Sequence, residues 1–409
     1  MSENDYFYLN RDCILVKGFC KSAVYDLSSG NIYALEELSS RVLDLCEKGC
    51  SISQISERLD IIKIDLIKHL IDLKQKGIGD FYEIFKLNKT EIEPLPIAVD
   101  LVWLEVTKAC NQKCVHCYAD SYANKMAEKP LSHNDWKRII KEAAELKCKR
   151  LQFTGGEPIL YGEKLFDLVE LAYCCGIKSV EIFSNSTLLS DKYIDSIAYF
   201  GVKVSTNIFS SEEAIHDQVT GLGGSFKKTV GNIKKMQKKG IAVNIATVIT
   251  KYNDQNIKRT IEFINGLGKA FPLLGFDIVR PAGRGKTCDV YSAKACIFSI
   301  KSKPIFAKIN RFQFAKRKYG HSCWWGNVVV TNDGKLMPCI MMKGYEHGNV
   351  LEQSLSEIIT KTELFNLWKL SKDKIKKCCD CEFRYACLDC RVSAMSINNV
   401  LYSECSHGL

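Results

Sequence analysis

The 409-residue chain has no run of eighteen uncharged apolar residues, which excludes a membrane-spanning helix. Its opening, MSENDYFYLNRD, lacks a basic stretch followed by an apolar one, so no secretory signal is expected. Histidine numbers only seven, and none shows the paired spacing of a metal site. No G-x-G-x-x-G follows a strand, so the Gly221–Gly224 stretch is not a dinucleotide loop. No fixed-period repeat is present, which argues against a solenoid or propeller. Disorder is excluded by ordinary globular usage, with 46% apolar and 25% charged residues.

Cysteine, by contrast, is abundant at 20 residues. A secreted disulfide scaffold is usually far shorter. In a long chain without a signal, these cysteines read as metal ligands in a reducing cytoplasm, the expected location. Net charge is +10 and unevenly spread. Residues 1–90 hold twelve Lys/Arg against fourteen Asp/Glu, while residues 301–409 hold seventeen against ten. Nucleic-acid binding is one reading of a basic chain. The other is neutralisation of an anionic thiolate cluster, which needs no further partner. The acidic N-terminal segment argues against a phosphate footprint, so neither nucleic acid nor membrane is expected as a partner.

Residues 6–16 and 22–34 read as two strands, and 36–48, 52–60 and 64–76 as three helices with apolar residues at three- and four-residue spacing. Ser53-x-x-Ser56 and the Gly49-Cys50-Ser51 break suit a tight helix junction, and residues 81–85 a wing strand. This predicts a winged-helix domain over 1–85, followed by a linker over 86–100 with two prolines. Over 101–285, strands at 101–106, 149–154, 178–184, 202–207, 242–248 and 273–279 alternate with helices near 133–146, 163–175, 190–199, 225–239 and 254–266. Ser132-x-x-Asp135 is a capping box for the first of these helices. Six βα units imply a parallel sheet with right-handed crossovers. Six are too few to close an eight-stranded barrel, so the expected class is α/β with a partial (β/α)6, TIM-like barrel. A basic bridging region (286–322) and a cysteine-rich domain (323–409) follow, and Lys316-Arg317-Lys318 reads as a solvated face.

Cys110, Cys114 and Cys117 form a C-x3-C-x2-C loop directly after the first strand of the series, at the strand edge where α/β sites lie. Three thiolates at this spacing can cap three irons of a cubane cluster and leave the fourth open. His116, inside the loop, is expected to point away. Thr154-Gly155-Gly156-Glu157-Pro158 ends the second strand; its glycines admit close backbone approach, and Glu157 can accept from an ammonium group. Ser184-Asn185-Ser186 and Ser205-Thr206-Asn207 add short polar side chains on the same rim.

These motifs resemble the radical S-adenosylmethionine superfamily. The resemblance implies that Cys110, Cys114 and Cys117 ligate a [4Fe-4S] cluster whose open iron chelates S-adenosylmethionine. Gly155, Gly156 and Glu157 would meet the methionine amine, Tyr118 the adenine, and Asn185 and Ser205 the ribose or methionine end. Many members carry an arginine near position 220, where this chain has Thr220, so Arg280 or Arg284 would take the carboxylate. One electron then cleaves the sulfonium, and the deoxyadenosyl radical abstracts hydrogen from an unactivated C–H bond.

In the tail, Cys323, Gly334-x4-Cys339, Cys378-x2-Cys381-x5-Cys387-x2-Cys390 and Cys405 resemble the SPASM domain, although the Cys387–Cys390 gap is two residues where that family has three. The resemblance implies two auxiliary [4Fe-4S] clusters: an outer one on Cys378, Cys381, Cys387 and Cys405, and an inner one on Cys323, Cys339 and Cys390. Cys288, Cys296 or a substrate thiolate would complete the inner cluster, and Cys379 could replace Cys378. The N-terminal domain resembles the leader-recognition element of ribosomal-peptide maturases, which takes a leader as an added strand. The opening Asp12–Gly18 and the tail Cys381–Arg391 look most like the grasp-with-SPASM and ranthipeptide maturases. The implied activity is thioether formation on a precursor peptide, with flavodoxin or ferredoxin as reductant. Carbon–carbon crosslinking, epimerisation, sulfatase-type formylglycine maturation and a zinc-containing winged-helix regulator are the alternatives.

Overall fold

The computed structural model describes residues 5–84, 91–96, 98–268, 276–292, 308–388 and 390. The N-terminal segment holds β1 (Tyr6–Leu9), β2 (Cys13–Lys17), β3 (Ser22–Asp26), β4 (Ile32–Leu35), α1 (Glu37–Glu47), α2 (Ile52–Leu59), α3 (Lys63–Gln75) and β5 (Gly79–Tyr82). Each of the two expected strands is therefore broken in two, by turns before Cys13 and after Asp26. β1 pairs with β5, and β2–β3–β4 form a separate antiparallel sheet. The helix junction falls at the expected Gly49–Ser51 break and is capped by Ser51, whose hydroxyl accepts from the Gln54 N–H. Val42, Leu43 and Cys46 of α1 pack with Ile52, Ile55, Leu66, Leu70 and Leu73 in one core, which Val24 of β3 joins. Ala23 and Tyr25, on the opposite face of β3, enter a different core with Ile309, Phe314, Tyr385 and Ala386. Apolar side chains on both faces of β3 are thus buried.

The second unit is an α/β fold with a mainly parallel sheet. Its strands are β6 (Leu101–Thr107), β7 (Arg150–Gly155), β8 (Ser179–Phe183), β9 (Lys203–Asn207), β10 (Val243–Ile249) and β11 (Phe276–Ile278). They lie side by side in sequence order and pair parallel throughout. The helices between them are α4 (His133–Glu145), α5 (Glu163–Cys174), α6 (Asp191–Phe200), α7 (Glu213–Thr220), α8 (Ser225–Lys238) and α9 (Ile257–Gly266). The Ser132–Asp135 capping box forms as expected. α7 was not expected, and residues 273–275 of the last expected strand lie outside the described residues. The open, six-strand arrangement fits a partial barrel.

The sheet also extends past its first strand. After α10 (Arg311–Tyr319), β12 (Asn327–Val330) pairs parallel with β6, placing Val329 beside Trp103, and β13 (Leu336–Met337) folds back antiparallel. α11 (Leu355–Lys361) and α12 (Leu364–Trp368) follow, and their Leu355, Ile358, Leu364 and Trp368 join the same core as Val328 and Leu336. One continuous core runs from Phe153 and Ile182 through Val102 to Val328, Leu336 and Trp368. The basic stretch in α10 is not a solvated face throughout. The Lys316 side chain is 19% exposed, and Arg317 donates to the Tyr385 carbonyl at 3.0 Å. Among the described residues, no helix is long and apolar enough to cross a membrane.

Candidate active site

The cysteine loop leaves the end of β6, and long-range contacts fix its shape. The Lys113 and Val115 N–H groups donate to the Thr220 and Val219 carbonyls, both at 3.0 Å, so the end of α7 braces the loop. Arg284 braces the other side. Its guanidinium donates to the Cys114 carbonyl at 2.8 Å, Asp120 at 2.8 Å and the Ser121 carbonyl at 2.9 Å. The Asn185 amide donates to Asn111 at 2.8 Å and lies 3.8 Å from the Cys110 sulfur.

Cys110 is buried, and Cys114 and Cys117 are half-buried. Burial lifts the Cys110 thiol to about 11. Burial, and then the neighbouring Cys117 and Cys110, push Cys114 up as well. The Cys110 sulfur accepts the Gln112 N–H, and the Cys117 sulfur the Ser121 N–H, each at 3.4 Å. Backbone donors of this kind stabilise thiolates that carry iron. The donor set therefore fits a cluster: three neighbouring thiols on one short loop, two of them with N–H donors already in place. Among the described residues, no three His, Cys, Asp or Glu side chains form a group that could hold a single metal ion. A cubane differs in kind, because each thiolate caps a separate iron.

A cavity of about 580 Å³ opens beside the loop and is lined by all three cysteines, Tyr118, Gly155, Gly156, Asn185 and Ser205. Five of the six residues expected beside the cofactor thus line one cavity. Glu157 is not among the lining residues. It is fully buried, and its carboxylate accepts from Ser184 Oγ at 2.7 Å, the Asn185 N–H at 2.7 Å and the Ile159 N–H at 3.1 Å. Burial nevertheless lifts its carboxyl to about 7. It shapes the rim from behind, which leaves the backbone of Gly155 and Gly156 to meet a ligand. Gly156 must lack a side chain, since a Cβ there would run into the Ala109 carbonyl.

Other expected contacts are also engaged within the protein. Asn185 Oδ1 accepts from the Thr187 backbone and hydroxyl, and Ser205 Oγ donates to Glu181. Arg280 and Arg284 both line the cavity, and both are engaged within the protein, Arg284 by the loop and Arg280 by Asp277. His116 corrects an expectation. It lines the cavity instead of pointing away and packs edge-on against Phe209. Burial and the Arg284 charge pull it down to about 4, so it is neutral.

In the tail, Cys378 and Cys387 are buried, Cys339, Cys381 and Cys390 are half-buried, and Cys323 is exposed. Burial raises Cys339 to about 12, with Cys323 and Cys390 as neighbouring anionic groups. Burial works against the charge of Arg280, but Cys390, Asp277 and Cys339 outweigh it and raise its pKa. Arg280 thus lines the cavity and senses the charge of these thiols, and Ile340 and Met341, next to Cys339, line the cavity too. Cys296 and Cys405 lie outside the described residues, and Cys288 begins a short 3-10 turn.

A family model for the radical SAM superfamily matches residues 104–264, and one for an iron-sulfur cluster-binding domain, SPASM, matches 323–382. The sporulation killing factor maturation protein SkfB of Bacillus subtilis is 31% identical over 297 residues, 67% of each chain. The chain belongs to the radical SAM superfamily. An AdoMet-dependent heme synthase of Methanosarcina barkeri is 27% identical over 325 residues, covering 72% of this radical SAM chain and 91% of its own. Streptococcus suis SuiB, solved with S-adenosylmethionine, shares the fold at a TM-score of 0.59 and 16% identity, over 98% of this chain and 100% of that one. SuiB bound to its precursor peptide SuiA matches at 0.58. The cofactors of this radical SAM enzyme are [4Fe-4S] clusters and S-adenosylmethionine.

Sequence reading had no access to the loop's braces. Asn185, Thr220 and Arg284 come from three separate parts of the chain, and no local motif links them to the loop.

Proposed function

We propose that this radical SAM enzyme modifies a ribosomally made precursor peptide, joining a cysteine sulfur to a carbon as a thioether. The observation that carries the reading is the shared cavity, where the cysteine loop meets Ile340 and Met341 beside Cys339. A substrate held there touches both the radical site and the flank of the auxiliary thiols. The likeness to SkfB, named as a maturation protein, supports a peptide substrate. When bound, the loop cluster and S-adenosylmethionine supply a carbon radical that removes a hydrogen atom from an unactivated C–H bond.

The chain's own residues bind and orient. Cys110, Cys114 and Cys117 would hold the radical-site cluster, Cys323, Cys339 and Cys390 the inner auxiliary cluster, and Cys378, Cys381, Cys387 and Cys405 the outer one. Gly155 and Gly156 would offer backbone to the methionine end, Tyr118 would lie beside the adenine, Asn185 and Ser205 would touch the ribose or methionine end, and Arg280 or Arg284 would face the carboxylate. Residues 1–85 would form the leader-binding unit, 86–100 a linker, 101–285 the radical domain, 286–322 a bridge and 323–409 the SPASM domain. The leader would add as a strand beside β4, whose only strand partner among the described residues is β3. A cytoplasmic flavodoxin or ferredoxin would supply electrons.

Anoxic incubation of the reconstituted enzyme with S-adenosylmethionine, reductant and a neighbouring cysteine-containing peptide tests this. The expected product is lighter by two hydrogens, forms with 5′-deoxyadenosine and resists thiol alkylation. A two-hydrogen loss that leaves the thiol alkylatable selects a carbon–carbon link, and an unchanged mass with deoxyadenosine formed selects epimerisation. An unmodified peptide with no deoxyadenosine overturns the reading. The Methanosarcina likeness favours a second reading, heme formation, which tetrapyrrole turnover without peptide modification would select.

A further inference from the structure

The β2–β3 hairpin reaches across the molecule to the loop that carries Cys378, Cys381 and Cys387. The Phe19 N–H donates to the Asp380 carbonyl at 2.9 Å. The Tyr25 hydroxyl donates to the Glu382 carbonyl at 2.9 Å. Arg384, three residues after Cys381, donates to the Lys17 carbonyl at 2.7 Å and to the Cys381 carbonyl at 2.9 Å. These contacts join segments more than 350 residues apart in the chain.

Gly18 makes the approach possible. A Cβ at this position would lie 2.7 Å from a Glu382 carboxylate oxygen and 2.9 Å from the Asp380 carbonyl. Gly18 is not among the glycines with positive φ, so its conformation is open to any residue, and only the space is denied. Behind the hairpin, Tyr25, Phe314 and Tyr385 form an edge-to-face trio with centroids 4.9–6.4 Å apart. Asp373 accepts from Arg384 Nε at 2.6 Å and from the Tyr385 hydroxyl at 2.7 Å. The cysteine loop has little regular structure of its own, so its shape is supplied by these neighbours.

We propose that the N-terminal sheet is a structural part of the outer auxiliary site: Gly18, Phe19 and Tyr25 are positioning residues that hold the Cys378–Cys387 loop in the geometry a cluster needs. This gives the N-terminal segment a role beyond leader recognition. It also means that a peptide strand added to this sheet abuts the element that shapes the cluster loop. The inference rests on the reading of Cys378, Cys381 and Cys387 as cluster ligands.

Three variants of the full chain test it, each reconstituted under anoxia and assayed for iron and for electron paramagnetic resonance signals. Cys381→Ala tests the underlying reading and is expected to lower the iron content by about four per chain. Gly18→Val, which forces the hairpin off the loop, is expected to lose the same iron and the same signal while keeping the signal of the loop on Cys110, Cys114 and Cys117. Tyr25→Phe keeps the ring and removes the hydroxyl with its bond to the Glu382 carbonyl. It is expected to hold full iron but release the outer cluster's share several-fold faster to a chelator, and to shift that cluster's midpoint potential. If Cys381→Ala loses iron while Gly18→Val and Tyr25→Phe behave as wild type, the proposal is overturned. If Cys381→Ala keeps all its iron, the ligand reading fails and the proposal falls with it. If Gly18→Val does not fold, the release rate and potential of Tyr25→Phe decide.

Discussion

Arg284 and Cys114 are joined by a 2.8 Å hydrogen bond from the guanidinium Nε to the cysteine carbonyl, although 170 residues separate them. The remaining nitrogens take Asp120 and the Ser121 carbonyl, so one side chain spans the second half of the cysteine loop. A planar fork with five donors suits this task, and an ammonium group does not.

Replacing Arg284 with alanine removes three hydrogen bonds of about 1 kcal/mol each from the loop. Arg284→Ala is expected to release the radical-site iron to a chelator several-fold faster than wild type, with Arg284→Lys in between. Release curves that overlay for all three proteins would show that the loop keeps its shape without the brace.

Lys343 and Glu105 tie the tail to the barrel. Both carboxylate oxygens accept from Nζ, at 2.9 and 2.8 Å, and the Glu105 side chain is only 3% exposed. Lys343→Met leaves that carboxylate buried without its ion-pair partner. The expected loss is about 2–3 kcal/mol, toward the low end for a broken buried pair because Lys343 is 29% exposed. Adding Glu105→Leu should recover most of it. Anoxic thermal melts of the single and double variants provide the check, and a double variant no better than the single one would argue against an unpaired charge as the cause.

The Glu157 carboxyl is raised in the folded state to about 7, mainly by burial, from its ordinary value of 4.5. Its protonated form is therefore favoured by folding. The stability it contributes is full below the unfolded pKa and is lost as the pH climbs through about 7. Between pH 5 and pH 8 this amounts to roughly 2–3 kcal/mol. Glu157→Gln should flatten the dependence of the melting temperature on pH across that window. A variant with an unaltered slope would assign the dependence to another group.

The barrel was legible because its strands and helices differ in period, and most element ends fall within three residues of the sequence reading. The Val328-Val329-Val330 run was missed as a sheet member because cysteine spacing dominated that stretch, although a wholly apolar strand suits a buried parallel position. α7 was hidden beside the Gly221–Gly224 turn. The short polar residues of the rim were legible, but their hydrogen-bond partners, such as Ser184 for Glu157, were not, because these are a property of packing. The union of the N-terminal sheet with the tail left no periodic signal, since it depends on a close approach at Gly18 and on carbonyl acceptors.

The central claim is that the Cys110–Cys117 loop carries the iron on which S-adenosylmethionine is cleaved. The most direct measurement compares anoxically reconstituted wild type with Cys114→Ala for iron content and 5′-deoxyadenosine formation. The account predicts about four fewer irons per chain, with deoxyadenosine reduced to background and the auxiliary signals retained. A Cys114→Ala protein that keeps its full iron and cleaves S-adenosylmethionine at the wild-type rate would contradict it.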